Sequence, residues 1–368
     1  MLQKSPLFPD DVLCSETETQ KPAREWLKVL ARYRTPSTAR SITEIVITGA
    51  PFALLWVAAW WSLGISYWLT GAFIVPAAFL LVRLFLIQHD CGHQAFFHKR
   101  VTNDWTGRVL GVFTATPYDV WRKQHAAHHS GSGNLACRDL GEIETLTVRE
   151  YKALPWWMKL RYRLYRAPAV LFGLGPAYVF LLKNRLPYGF MRGNGWGPWI
   201  SAMGTNAAIA MIVVLMMWLV GPVPFLVVHI PILLLAATIG VWLFYVQHQF
   251  EDTIWEQDKD WDMQEAALYG SSYYVMPKPL QWVTANIGVH HVHHLYARIP
   301  FYRLPQVLRD HPELAGIQRI TIPESFKCVR LQLWCEAHRK LVSFKEARRL
   351  ARMQSIPSGQ VTDDHNGT

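Results

Sequence analysis

The sequence predicts an all-α integral membrane protein, with four transmembrane helices in two hairpins and a cytosolic helical cap. Three observations predict it: an apolar composition, the confinement of positive charge to three regions, and the placement of the histidines. Of 368 residues, 51% are hydrophobic, 17 are Trp and only 17% are charged. That balance suits a chain solvated by lipid better than two soluble domains.

A bilayer core of about 30 Å needs about 20 apolar residues in helix. Four stretches meet that length, at 42–62, 68–88, 198–220 and 225–247. Positive charge sets their orientation. Of the 37 Lys and Arg residues, seven lie in 1–41, fifteen in 99–192 and fourteen in 259–352, and Arg83 completes the set. The turns around Ser62 to Gly71 and Gly221 to Pro224 carry none. Basic segments stay on the cytoplasmic side, so both termini and the cap are expected in the cytosol. The net charge of +10 is thereby assigned to a membrane surface, and no nucleic-acid partner is expected.

Residues 1–41 form an N-terminal cytosolic segment. Within it Ala23 to Arg34 (AREWLKVLARYR) follows Pro22 and mixes Trp26, Leu27, Val29 and Leu30 with basic residues at helical spacing. A basic amphipathic helix lying on the inner leaflet is expected. The first forty residues hold no apolar core of signal-peptide length, so insertion by the chain's own spans is expected. The membrane domain runs over 42–352. Two further apolar stretches, Trp105 to Tyr118 and Ala169 to Leu182, are too short or interrupted to span and read as interfacial. Residues 353–368 are polar enough to form a disordered tail. The five cysteines are scattered without a CxxC, which suggests neither a disulfide framework nor a zinc knuckle.

Nine of the 15 histidines are patterned. His89 and His93 lie in HDCGH, and His125, His128 and His129 in HAAHH. His248 lies in VQHQFED, and His290, His293 and His294 in HHVHH. Residues three and four apart share a helix face, so each box aims its imidazoles at one point. His89 and His248 close the second and fourth spans at their cytoplasmic ends, and the other boxes fall in cytosolic regions. All nine therefore lie at about one depth. Nine imidazoles exceed what one tetrahedral zinc accepts, whereas two iron ions sharing eight or nine nitrogens suit redox chemistry. No HExxH is present, which removes a common zinc-protease reading.

The other histidines fail this test. His229 lies 19 residues before His248, about 28 Å along a helix, and is too far to join the metals. His98, His311, His338 and His365 have no partner at ligand spacing and read as solvated or structural. His291 points off the shared face of its box. Metal-bound imidazoles donate their second N–H to an acceptor. Asp90, Glu251, Asp252 and Asn286 stand close enough in sequence for that role; Glu251 and Asp252 read equally well as surface acids.

At these residues the sequence resembles the membrane fatty acid desaturase superfamily, whose signature is one HxxxH and two HxxHH boxes. HDCGHQAFF, WRKQHAAHHSGSGNL, GVWLFYVQHQFEDTIW, WDMQEAALYGSSYY and QWVTANIGVHHVHHLYARIPFYRLP all look like bacterial acyl-lipid desaturases of the delta-12 or delta-5 type. The resemblance covers roughly residues 40–310. It implies that the box histidines, with His248 as the ninth, bind two non-heme irons. The implied reaction uses O2 and two electrons to form one cis double bond in a lipid-linked acyl chain. Some relatives place an Asn one turn before the ninth His, where this chain has Phe244.

No HPGG segment of a fused heme domain is present, so electrons are expected from a separate donor such as ferredoxin or flavodoxin. Arg122, Lys123, Arg298 and Arg303 suit either that acidic donor or anionic lipid. The bacterial resemblance places the chain in the cytoplasmic membrane. The nearest alternative is a diiron hydroxylase of acyl chains or alkanes, which shares the scaffold. A transporter would need ionisable residues through the bilayer midplane, and the spans offer little beyond Arg83 and His229.

Overall fold

The computed structural model describes residues 22–138, 143–187 and 195–354. Expectations that fall on residues 1–21, on His365 and on the tail from 355 lie outside these described residues. The chain is mostly helical. It opens with α1 (Ala23–Leu30), α2 (Thr38–Ser62), α3 (Tyr67–Gly92), α4 (Arg100–Phe113) and α5 (Tyr118–Gly131). Then come β1 (Leu146–Thr147), α6 (Val148–Ala153), α7 (Trp156–Tyr165), α8 (Gly175–Leu181), α9 (Gly197–Val220) and α10 (Pro222–His248). The last third holds α11 (Met263–Tyr269), β2 (Tyr273–Val275), α12 (Lys278–Val283), α13 (His290–Leu295), α14 (Leu304–Asp310), β3 (Arg319–Thr321) and α15 (Ile322–Cys328). It ends with β4 (Leu333–Cys335), β5 (Lys340–Val342) and α16 (Phe344–Gln354).

Among the described residues, α2, α3, α9 and α10 are long and apolar enough to cross a membrane, and they cover the four expected stretches. Each histidine-bearing span continues past its apolar run. α3 extends through His89 to Gly92 and α10 ends on His248, so the last turn of each presents polar side chains beyond the apolar part. α2 packs along α3, and α10 packs on α3, α9 and α2. α9 buries only Pro198, Ala202 and Thr205, and Met211, Val214 and Trp218 are exposed along its flank.

Three expectations change in detail. Two small sheets accompany the helices: β1 runs parallel to β4, which pairs antiparallel with β5, and β2 runs parallel to β3. Strands of two or three residues are too short to show an alternating pattern, so an all-α reading misses them. The apolar stretch at Trp105 is carried by α4, which stops at Phe113, and Tyr118 already begins α5. The stretch at Ala169 forms a π-turn over Val170–Leu174 before α8, and it is bent by 58° from α7.

The amphipathic N-terminal helix forms, but its apolar face is covered by protein. Ala23, Trp26 and Leu30 are buried against the core, and α1 packs on α11. Arg24 pairs with Asp262 at 2.6 Å, and the Trp26 ring meets His311 edge-on at 5.3 Å. The stripe that periodicity assigns to the leaflet is therefore satisfied within the fold, because a helical moment does not specify whether lipid or protein covers it.

Among the described residues two arginines are fully buried. Arg166 donates to the carbonyls of Glu144 and Leu331, to Gln249 Oε1 and to Tyr245 Oη, which seats the end of α10 against neighbouring loops. Arg83 on α3 pairs with Glu44 on α2 and donates to the Trp282 carbonyl. Its guanidinium also lies 4.3 Å from the Trp282 ring and 5.1 Å from that of Phe301. This pair fastens the segment leading into the third box onto the first two spans. Removing one partner of a buried pair costs about 3–5 kcal/mol, whereas apolar replacement of both costs far less. Glu44→Leu should accordingly lower the unfolding temperature in detergent, and Glu44→Leu/Arg83→Met should recover most of the loss. Equal loss in both variants would show that the charge pair is not the source of the effect.

Candidate metal centre

The nine histidines arrive from four helices. His89 lies in the last turn of α3 and His93 caps that helix. α5 supplies His125, His128 and His129, α10 supplies His248 as its final residue, and α13 supplies His290, His293 and His294. They separate into two groups, His89, His93, His125, His129 and His293 in one and His128, His248, His290 and His294 in the other. Within each group the nitrogen atoms lie within 4.8 Å of one another. α5 and α13 each contribute to both groups, because residues three and four apart on one helix straddle two adjacent points.

Nitrogens face nitrogens. His125 Nε2 is 2.9 Å from His93 Nε2 and 3.1 Å from His129 Nε2, and His248 Nε2 is 3.1 Å from those of both His128 and His294. A neutral imidazole carries one N–H and one lone pair, so such a cluster cannot satisfy all its lone pairs internally. Both ring nitrogens of His290 and Nε2 of His293 are buried without a hydrogen-bond partner. A cation at each convergence point would satisfy them, and the all-nitrogen donor set suits a borderline transition metal. Burial and the neighbouring rings hold His125, His129, His290, His293 and His294 well below the usual histidine pKa, and burial takes His128 down to about 3. Burial thus favours the neutral form of these six imidazoles, the form that metal ligation requires.

The chain matches the family model for fatty acid desaturases over residues 66–325. A fatty acid desaturase of Bacillus subtilis is 42% identical over 327 residues, spanning 89% of this chain and 92% of that protein. The chain belongs to the fatty acid desaturase family. More distant relatives include an sn-1 oleoyl-lipid 12-desaturase of Anabaena variabilis, 26% identical over 74% of this chain and 75% of that one. A ferredoxin-type sn-1 acyl-lipid omega-3 desaturase of Synechocystis sp. is 29% identical over 60% of this chain and 61% of that one.

Side chains outside the nine shape this candidate site. Asp90, buried, has Oδ1 3.5 Å from His89 Nδ1, while its Oδ2 accepts the Phe301 N–H at 2.7 Å. Asn286, with φ of 54°, donates to the Phe301 carbonyl at 3.3 Å rather than to a ligand ring. Asp90 and Asn286 thus hold the N–H and the C=O of one residue, Phe301, on the two peptide groups that flank it, and tie the first box to the approach of the third. Glu251 and Asp252 are exposed, and Glu251 pairs with Lys340 at 2.9 Å. His291 is bonded at 2.9 Å to the Leu314 carbonyl and joins neither group. His229 stacks on Phe225, and His338 meets Cys335 Sγ at 3.3 Å.

Two contacts escaped sequence reading. His248 Nδ1 donates to the Phe244 carbonyl at 2.9 Å, which fixes the tautomer and frees Nε2 for its group. Trp121 stacks on His125 at 4.7 Å and 15°. Its four-residue spacing from His125 on one helix was the available signal. Gly92 makes room for it, since a Cβ there would come within 2.8 Å of the indole. A cavity of about 270 Å³ opens on His89, His125, His128 and His290 and is otherwise largely apolar.

His293→Ala should lower bound metal substantially, whereas His229→Ala and His291→Ala should retain the wild-type metal content. Elemental analysis of the purified variants distinguishes them, and equal loss from all three would rule out the two-group assignment.

Proposed function

We propose that this chain is an O2-dependent desaturase that introduces a cis double bond into a lipid-linked acyl chain. The observation that carries the reading is the juxtaposition of two buried histidine groups with an apolar cavity, in a member of the desaturase family. The five- and four-histidine groups would each hold one iron. With O2, two electrons and two protons, the pair when bound would supply an oxidant able to take two hydrogens from adjacent methylenes, leaving one double bond and two waters.

The chain's own residues do the rest. An unactivated methylene offers no acidic proton, so general acid–base groups have nothing to act on and positioning dominates. The cavity's apolar walls hold a hydrocarbon chain and exclude water, and Trp121 and Phe244 wall the ligand end. The Phe244 carbonyl orients His248, and Asp90 stands 3.5 Å from His89 Nδ1. Because the histidines stand at the ends of α3 and α10, the metals lie at one edge of the spans.

The proposed topology pairs α2 with α3 and α9 with α10 as hairpins, with the cap and both termini in the cytosol, in the bacterial cytoplasmic membrane. Its support is the distribution of basic residues. The domain limits at 41/42 and 352/353 belong to the same proposal. Purified protein should carry close to two iron per chain. Expression in a host lacking polyunsaturated lipids should add O2-dependent double bonds to its acyl chains. One zinc without iron, or an unchanged acyl profile with iron bound, would sink the reading.

The proposed electron donor is a soluble acidic carrier of the ferredoxin or flavodoxin class. Its support is the exposed Arg298, four residues beyond His294, and the ferredoxin-type relatives. Arg122 is half-buried and 3.6 Å from Asp104, which leaves Arg298 better placed for docking. The Debye length falls from about 10 Å at 0.1 M salt to about 3 Å at 1 M. The carrier KM should therefore rise with salt, and Arg298→Glu should raise it further while leaving the lipid products unaltered. A salt-independent carrier KM, measured in neutral detergent, would exclude electrostatic docking and leave anionic lipid as the partner of this face.

A further inference from the structure

We propose that the face of α10 formed by Ala236, Ala237 and Gly240 sets how much acyl chain fits beyond the oxidised carbons, and so which chain lengths are accepted. The inference rests on the desaturase reading above. It concerns the far part of the cavity, away from the histidines.

The cavity follows two helices away from the metal groups. Along α3 its lining runs from His89 back to Leu81, and along α10 from Gln247 back to Leu233. At about 1.5 Å per residue, Gly240 stands about 12 Å and Leu233 about 22 Å before His248 along the helix axis. Leu81 and Leu233 are the lining residues farthest from the histidines on their helices, and both are buried. They form the floor. His290, with both ring nitrogens buried and unpartnered, lines the opposite end. The slot is therefore open to the ligand groups at its head and apolar at its floor, an arrangement that takes a hydrocarbon tail.

Gly240 is the informative residue. A glycine inside a helix is unfavourable unless something requires it. At Gly92 packing requires it, because a Cβ would meet Trp121 at 2.8 Å. At Gly240 packing does not, since a Cβ there would meet no atom within 4 Å. The space beside it is the cavity. Ala236, Ala237 and Gly240, at i, i+1 and i+4, turn the smallest side chains of α10 toward one face, and Phe180 of α8 lines the same slot. A branched side chain at 240 would project into the slot above its floor and shorten it, while trimming Leu233 would deepen it.

The test uses the full chain, expressed with its electron donor and supplied with a homologous series of saturated acyl lipids, with bound iron measured in parallel. Gly240→Leu should retain iron and move the products to shorter chains, with kcat/KM for the longest chain falling about tenfold or more, the order of discrimination that one or two methylenes give in an apolar pocket. Leu233→Ala should shift the profile the other way and admit longer chains. Wild-type chain-length profiles in both variants, with iron retained, would overturn the proposal. If Gly240→Leu loses iron as well as product, Leu233→Ala decides alone, since a deepened floor predicts a gain and a structural role does not. A wild-type protein that forms no unsaturated chains would overturn the desaturase reading itself.

Discussion

Nine imidazoles brought together out of water are the constraint on which the rest of this structure depends. Each buried nitrogen without a partner costs roughly 1–3 kcal/mol, and nitrogens that face one another at about 3 Å cannot all be donors. The arrangement is unfavourable as protein alone, and cations at its two foci would relieve it. That explains where the rigidity is concentrated. The nine histidines come from four helices, and polar contacts stand beside several of them.

Those contacts form a frame. Arg83 and Glu44 lock α2 to α3 and reach the Trp282 carbonyl ahead of the third box. Asp90, next to a ligand, holds the Phe301 N–H just beyond that box, and Asn286 holds the Phe301 carbonyl. Arg166 binds Gln249, the residue after the His248 ligand. Helices of the membrane-crossing kind slide easily against one another, because lipid and side chains are similarly apolar. Polar clamps at the helix ends supply the register that apolar packing leaves loose, and they stand where the ligands stand.

Much of this was legible in the sequence. Four spans follow from apolar length, and the nine ligand candidates follow from spacing, since the i, i+3 and i, i+4 rule needs no tertiary information. The exclusion of His229 follows from helical rise alone. What was not legible depends on which surface covers which. The moment of α1 cannot tell lipid from α11, so Trp26 was assigned to the leaflet although it packs against His311. Nor can sequence proximity tell a facing carboxylate from one turned outward. Asp90 and Glu251 both lie within three residues of a candidate ligand, yet one is buried beside His89 and the other pairs with Lys340 at the surface. The Phe244 carbonyl was invisible because a side-chain search does not see backbone acceptors.

The two histidine groups also differ in their surroundings, and the difference suits the proposed chemistry. His93, His125 and His129 are half-buried, whereas all four members of the second group are buried. The first group thus stands nearer to solvent, on the side from which electrons would arrive. The cavity touches both groups, through His89 and His125 on one side and His128 and His290 on the other. A hydrocarbon chain in that slot would lie alongside both foci, so that adjacent methylenes face the pair together. Water enters such a slot at a cost set by its apolar walls, and on the proposed reading this keeps the oxidant for the chain. Trp121, stacked on His125 and lining the cavity, joins the wall of that slot to the histidines, and Gly92 leaves the room its indole needs.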